Sequence, residues 1–265
     1  STLGVVTDFY GSAMALGLGN THGNNVVMTV EAPTAPPPGV RYYWRAWVYD
    51  QYESGRWESG LTDSQTVTPD NFDLPFPELG GRWAATFKFT SRVSITTLYA
   101  ASQPVWVSHP LRVNLAFNDD GTADVAALHA QVPLYAGEEY RVQSSLSAAT
   151  IADLRGAGTD YPAWVTDRYL QLPDEITPRT RDLAEEITVG LNNPYDKAQA
   201  ITNYLRNNID YTETIPAPPL DQEPLDWFLF DFQQGFCNYY ASAEIVLLRS
   251  LGIPARMAVG YARGI

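Results

Sequence analysis

The sequence is short of sulfur and of charge. Its 265 residues hold a single cysteine, Cys237, and three histidines. One thiol excludes an internal disulfide framework and any metal site built from several thiolates. Charged residues make up 18%, against roughly 25% in an average soluble domain. That small charge leans one way, since 17 Lys+Arg face 30 Asp+Glu and leave a net −13. Such a balance argues against a nucleic-acid binder, which needs a basic stripe to neutralise phosphates. No apolar run approaches the roughly 18 residues of a membrane span, and the first residues lack the basic and apolar regions of a signal peptide. What is present is apolar: 45% hydrophobic and 12% aromatic residues, enough to bury real cores and too much for a disordered chain. At about 100 to 200 residues per domain, the length predicts two domains.

The two halves carry similar charge but different periodicity. Up to about residue 148 the pattern is β. Runs of period two, rich in β-branched and aromatic residues, occur at Val26 to Val30, Tyr42 to Tyr49, Trp83 to Phe89, Val93 to Tyr99, Val105 to Val107 and Arg112 to Phe117. Ser54-Gly55 supplies the positive φ of a hairpin. The proline run from Ala32 to Gly39 cannot lie inside a sheet and reads as a polyproline connection. Short strands at roughly ten-residue spacing predict a sandwich. After Leu146 the pattern passes through Ser, Ala and Thr to an irregular aromatic bridge, Tyr161-Pro162-Ala163-Trp164, and from Thr177 it becomes helical. Thr177 with Pro178, and Asn193 with Pro194, are N-cap and first-turn pairs that open two consecutive short helices. The expected class is therefore α+β: a sandwich-like domain over 1–148, a linker over about 149–172 and a helical part to residue 265.

A third helix begins at Cys237. Ala241, Ile245, Leu248 and Leu251 recur at helical spacing, and Gly252-Ile253-Pro254 gives a stop of Schellman type. Helix N-termini expose unpaired N–H groups and carry roughly half a positive charge, which predicts a stabilised thiolate. The same N–H groups can receive the oxyanion of a tetrahedral intermediate. Gly235 lets the backbone turn into the helix without a Cβ clash. A lone cysteine in apolar company is also a packing residue, so at this point both readings stand.

The stretch from Gly235-Phe236-Cys237-Asn238-Tyr239-Tyr240-Ala241-Ser242-Ala243 through Leu247 to Arg256 and Val259-Gly260-Tyr261 resembles the nucleophile helix and following strand of the transglutaminase-like superfamily. Leu172-Pro173-Asp174, Thr177 to Thr180, Asn193 to Ala198 and Tyr204 to Arg206 are similar to its bacterial membrane-anchored, TgpA-like branch. Tyr42-Tyr43-Trp44-Arg45 and the segment Tyr49 to Trp57 resemble the β-rich region that precedes the core in that branch. The resemblance implies a papain-like core in which Cys237 attacks an amide carbonyl, a histidine shuttles protons and an aspartate orients it. Gly235 and Ala241 belong to the motif. An aromatic residue upstream of the cysteine helix often completes the oxyanion hole, which points to Tyr211 and, more weakly, Trp227; packing is the competing reading of both. The family's histidine and aspartate lie on strands following the one that ends near Tyr261, so this chain is expected to lack them and to be inactive alone. His22, His109 and His129 fall in the β-rich half and are expected to be ordinary surface imidazoles.

The resemblance further implies an extracytoplasmic location in a membrane-anchored parent and a protein or peptide substrate, with the cell envelope as one source. No calcium site of the EF-hand kind is visible in the sequence, so neither a metal nor a cofactor is expected. The weaker signals add little. Leu16-Gly17-Leu18-Gly19-Asn20 lacks the third glycine and the helix of a dinucleotide site. Glu185 and Glu186 point to different azimuths of one helix and read as a solvated face. Five of the seven Trp lie in the β half, where core packing outweighs a carbohydrate or peptide groove. Two rivals remain: a non-catalytic scaffold whose thiol merely packs, and a binding module that grips the cell wall or a partner protein.

Overall fold

The computed structural model describes residues 6–19, 23, 25–35 and 41–263. Most of the proline run, and His22, lie outside the described residues. Twelve strands come first: β1 (Ala13–Ala15), β2 (Met28–Glu31), β3 (Tyr43–Tyr49), β4 (Gln51–Glu53), β5 (Arg56–Glu58), β6 (Asp63–Val67), β7 (Arg82–Ser91), β8 (Ile95–Leu98), β9 (Pro104–Val107), β10 (Leu111–Phe117), β11 (Ala123–Leu134) and β12 (Glu139–Ser147). Helices then dominate: α1 (Ile151–Gly156), α2 (Ala163–Tyr169), α3 (Pro178–Ile187), α4 (Pro194–Asn208), β13 (Asp210–Tyr211), α5 (Pro224–Asp226) running into a π-helix (Trp227–Phe232), β14 (Gln234–Gly235), α6 (Cys237–Ser250) and β15 (Met257–Ala262).

Two antiparallel four-stranded sheets, ordered β6-β10-β11-β8 and β2-β7-β12-β9, build the β-rich part. Strands β7, β10 and β12 alternate as a half-buried sheet requires. Ala85, Phe87 and Phe89 on β7, Leu111, Val113 and Leu115 on β10, and Tyr140 and Val142 on β12 point into one shared apolar cluster. Trp44 on β3 meets Phe87 and Phe89 edge-on at 5.2 and 5.4 Å, contacts each worth about 0.5–1.5 kcal/mol beyond their burial. Three of the Trp expected in the core, Trp44, Trp47 and Trp57, are buried there.

The stretch expected to be a linker, about 149–172, contains α1 and α2, and α2 starts inside the expected irregular bridge, Tyr161 to Trp164. Thr150 and Asp153 form a capping box at the start of α1, and Pro162 precedes α2. Short-range capping thus outweighs a composition that carries no helical stripe.

Strong ties cross from the β-rich part to the helices. β3 pairs antiparallel with β15, Tyr49 opposite Met257 and Tyr43 opposite Ala262. The Trp57 indole donates to Ser242 Oγ on α6 at 2.8 Å. Arg249, 3% exposed near the end of α6, donates to the carbonyls of Asp50 (2.9 Å), Gln171 (2.7 Å) and Ala255 (2.8 Å). The cysteine helix is therefore clamped at both its middle and its end by the sandwich side.

Among the helices, Asp226 ties α5 to the start of α3. It is 2% exposed and accepts from Thr177 Oγ1 at 2.6 Å, Arg179 Nε at 2.8 Å and Gln222 Nε2 at 3.0 Å. The Arg179 guanidinium, itself half-exposed, holds the Asp226 carboxyl down at about 2. A carboxyl depressed below its unfolded value of about 3.9 stabilises the fold fully above that pH and loses the effect as pH falls toward 2. Discounted for the exposure of Arg179, the contribution is about 1–2 kcal/mol. Asp226→Asn should thus lower the melting midpoint at pH 7 and flatten its fall between pH 4 and 2; parallel wild-type and variant curves would refute this.

Candidate active site

Cys237 opens α6, and the turn that delivers it there is tight for a steric reason. Gly235 pairs with Tyr211 in the short parallel β13–β14 ladder, and a Cβ on Gly235 would lie 2.7 Å from the ring of the fully buried Phe228. The glycine is required here by close approach to packed aromatics. Phe236, also buried, takes the N-cap position of α6 with extended backbone and no side-chain cap. The first N–H groups of the helix are left to the sulfur, and those of Cys237 and Asn238 do pull the thiol pKa down.

Burial pulls the other way and wins. Desolvation pushes the Cys237 thiol above its ordinary value, where the helix N-terminus alone predicts a lowered one. Cys237 is nonetheless exposed. The two observations are compatible, because accessibility measures the face of the side chain that meets solvent whereas desolvation counts protein on every other side. The sulfur also donates to Asn238 Oδ1 at 3.6 Å.

A cavity of about 510 Å³ opens on Cys237, with Asn238, Ala241, Met257 and Val259 on one side and Phe9, Tyr10, Met14, Leu16 and Leu18 on the other. The second wall was missed in the sequence. It is held by backbone acceptors: Leu16 O takes Asn238 Nδ2 at 3.1 Å, Gly17 O takes the Tyr239 hydroxyl at 3.2 Å, and Leu18 O takes Ile215 N at 2.9 Å. Leu16-Gly17-Leu18-Gly19, which lacks the features of a dinucleotide loop, is a strap beside the thiol that turns at Gly17, where φ is 79°. Its alternating apolar residues and glycines are the one local hint of that role. Tyr10 donates to Gly260 O at 3.1 Å, and burial, reinforced by Tyr261 and Cys237, holds its phenol well above the usual range.

The other expected residues divide. Ala241 lines the cavity. Tyr211 is 60% exposed and sits opposite Gly235 with its ring 6.2 Å from that of Tyr240. Trp227 is packed, 7% exposed and stacked on Phe232 at 4.6 Å. Neither Tyr211 nor Trp227 lines the cavity. His109 lies beside Ser108 Oγ at 3.0 Å. His129 is not the surface imidazole expected: it is half-buried, 5.3 Å from the Trp47 ring, and desolvation lowers its pKa. Neither described histidine lines the Cys237 cavity. Glu185 and Glu186 are exposed, as a solvated face requires. Among the described residues no group of three or more His, Cys, Asp or Glu could hold a metal ion, and no helix is long and apolar enough to cross a membrane.

Both parts of the chain match known families. Residues 18–150 match the TgpA N-terminal domain and residues 181–265 match the transglutaminase-like superfamily. A protein-glutamine gamma-glutamyltransferase of Pseudomonas aeruginosa is 28% identical over 235 residues, 87% of this chain and 31% of that protein. The uncharacterized protein YebA of Bacillus subtilis is 45% identical over 101 residues, 37% of this chain and 14% of that protein. The chain thus spans less than a third of the length of either curated relative. The crystal structure of the periplasmic domain of TgpA from P. aeruginosa superposes with a TM-score of 0.65 at 24% identity, covering 98% of this chain and 83% of that one. This likeness establishes the α+β fold, with its sandwich and the helical part of the core.

Proposed function

The chain belongs to the TgpA-like family of transglutaminase-like proteins, and from that premise we propose that it contributes the nucleophile and the acyl-donor groove of an extracytoplasmic thiol enzyme. The carrying observation is the position of Cys237: exposed, at an uncapped helix start, facing a cavity of about 510 Å³. In the proposed reaction Sγ, once deprotonated, attacks the amide carbonyl of a protein or peptide. The C–N bond breaks as the amine leaves with a proton, and a thioester on Cys237 is then taken by water or by another amine. The N–H groups of Cys237 and Asn238 would receive the carbonyl oxygen as it becomes an oxyanion. Phe9, Met14, Leu16 and Met257 favour an apolar residue beside the scissile amide.

The raised thiol pKa defines what is missing. A protonated thiol is a weak nucleophile, so the mechanism needs an imidazole against Sγ and a carboxylate to orient it. We place both in other parts of the membrane-anchored parent protein, and this chain alone is then inactive. Iodoacetamide alkylation against pH tests the reading. The 265-residue chain should label at Cys237 with a midpoint above the roughly 8.5 of a free thiol. The full-length parent should label with a lower midpoint, and Cys237→Ala in the parent should abolish amide turnover. Turnover that survives Cys237→Ala would falsify the nucleophile role and leave a scaffold.

A further inference from the structure

A different part of the molecule gathers more positive charge than it neutralises. Asp124 on β11, its side chain 7% exposed, accepts from Arg168 on α2 at 2.9 Å and from Arg256 before β15 at 2.9 Å. The Tyr169 hydroxyl donates to the same carboxylate. Arg45 on β3 stands close behind: burial and the charge of Arg256 press on it, Asp124 relieves it, and its side chain donates to Ser102 Oγ at 3.4 Å. Buried charges are normally matched by partners. Here one carboxylate is paired with two guanidiniums, Arg168 and Arg256, and the Arg45 side chain has only a hydroxyl as its hydrogen-bond partner among the described residues.

A cavity of about 880 Å³ opens against this cluster, between the Phe76–Gly80 loop, the sandwich and α2. Two further donors face it. Arg82 reaches only Ser145, at its Oγ (2.9 Å) and its carbonyl, and has no ion pair among the described residues. Gln103 Nε2 is buried with no hydrogen-bond partner. The remaining acid of the lining, Glu78, is solvent-exposed, and Leu79, Val165 and Trp164 supply apolar surface. An unpartnered buried donor such as Gln103 Nε2 carries a cost that an anionic acceptor removes, and Arg82 has a neutral partner where an anion would be a stronger one. We propose that this cavity binds a carboxylate carried on an apolar or aromatic body, with Arg82, Arg256 and Gln103 as donors and Trp164 and Leu79 as the apolar wall. The site shares no lining residue with the Cys237 cavity, so it stands or falls independently of the thiol chemistry.

The probe is N-benzoylglycine, titrated into the 265-residue chain with tryptophan fluorescence and melting midpoint as readouts, beside its neutral amide and inorganic phosphate. Benzoylglycine should bind at least about tenfold tighter than the amide, the difference a charge-assisted hydrogen bond makes. Arg82→Met should remove that preference, and Arg82→Lys, which keeps the charge, should retain part of it. Leu79→Ser, on an exposed loop, should weaken benzoylglycine while leaving phosphate unchanged. Equal binding of acid and amide, or an unchanged acid affinity in Arg82→Met, overturns the proposal. Phosphate binding as tightly as benzoylglycine overturns the apolar-body part of it.

Discussion

Gly260→Ala is expected to lower the melting midpoint by on the order of 10 °C, because no side-chain adjustment can make room for the added methyl. Gly260 has φ of +153°, a region that L side chains rarely adopt. A Cβ built on it lies 2.0 Å from the carbonyl oxygen of Trp44 and 3.0 Å from Cα of Arg45. Both neighbours are backbone atoms of β3, and Gly260 pairs with Arg45 where the β15–β3 register shifts. The strand pair must part locally, at a cost of roughly 3 kcal/mol or more from strain and lost ladder bonds. The consequence reaches the thiol, since Met257 and Val259 of the same strand line its cavity. Alkylation of Cys237 should therefore quicken as the groove opens. A variant that melts with the wild type and labels at the same rate would show that β15 is not held in this register.

What could be read from the sequence was set by the range of the interaction. Thr177 caps α3 by accepting from Thr180 N, and Asn193 caps α4 by accepting from Asp196 N, each with proline in the first turn. Ile253 N returns to Leu248 O and Gly252 N to Arg249 O, the Schellman closure foreseen at Gly252-Ile253. Ser54 and Gly55, with φ of 42° and 81°, close the β4–β5 hairpin as their dipeptide required. All of these are decided within six residues of chain. β11 escaped because Ala123 to Leu128 are buried without alternation, the pattern of a strand covered on both faces. The π-helix over Trp227–Phe232 offers no periodic signal of its own, and its aromatics pack as core. The place of Cys237 at the start of α6 was legible from the helical spacing that follows it. The strap from Phe9 to Gly19 was not, because its bonds to Asn238 and Tyr239 span 222 residues. The direction of the thiol pKa failed for the same reason. Helix-end electrostatics are local and visible, whereas desolvation is imposed by neighbours that only the tertiary fold assembles.

Asp124→Asn should be the most destabilising single-charge change in the chain, by about 3–5 kcal/mol, the usual cost of removing one partner from a buried ion pair. The substitution is nearly isosteric, so packing is kept and charge alone is tested. Arg168 would retain Asn118 Oδ1 at 3.0 Å and Arg256 the Tyr169 hydroxyl at 3.2 Å. The new amide accepts through one oxygen only, and its NH₂ group faces a guanidinium that it cannot satisfy. Arg168 and Arg256 then face each other across the site with no anion between them. Their repulsion should appear as an enlarged response to anions. In the wild type benzoylglycine should raise the melting midpoint modestly, whereas in Asp124→Asn it should raise it by several degrees more, since a bound carboxylate replaces the missing charge. Sodium sulfate should act in the same direction by screening the cluster. If the variant loses less than about 1 kcal/mol, or if benzoylglycine shifts both proteins equally, the cluster is not short of negative charge, and the case for an anion in the adjoining cavity fails with it.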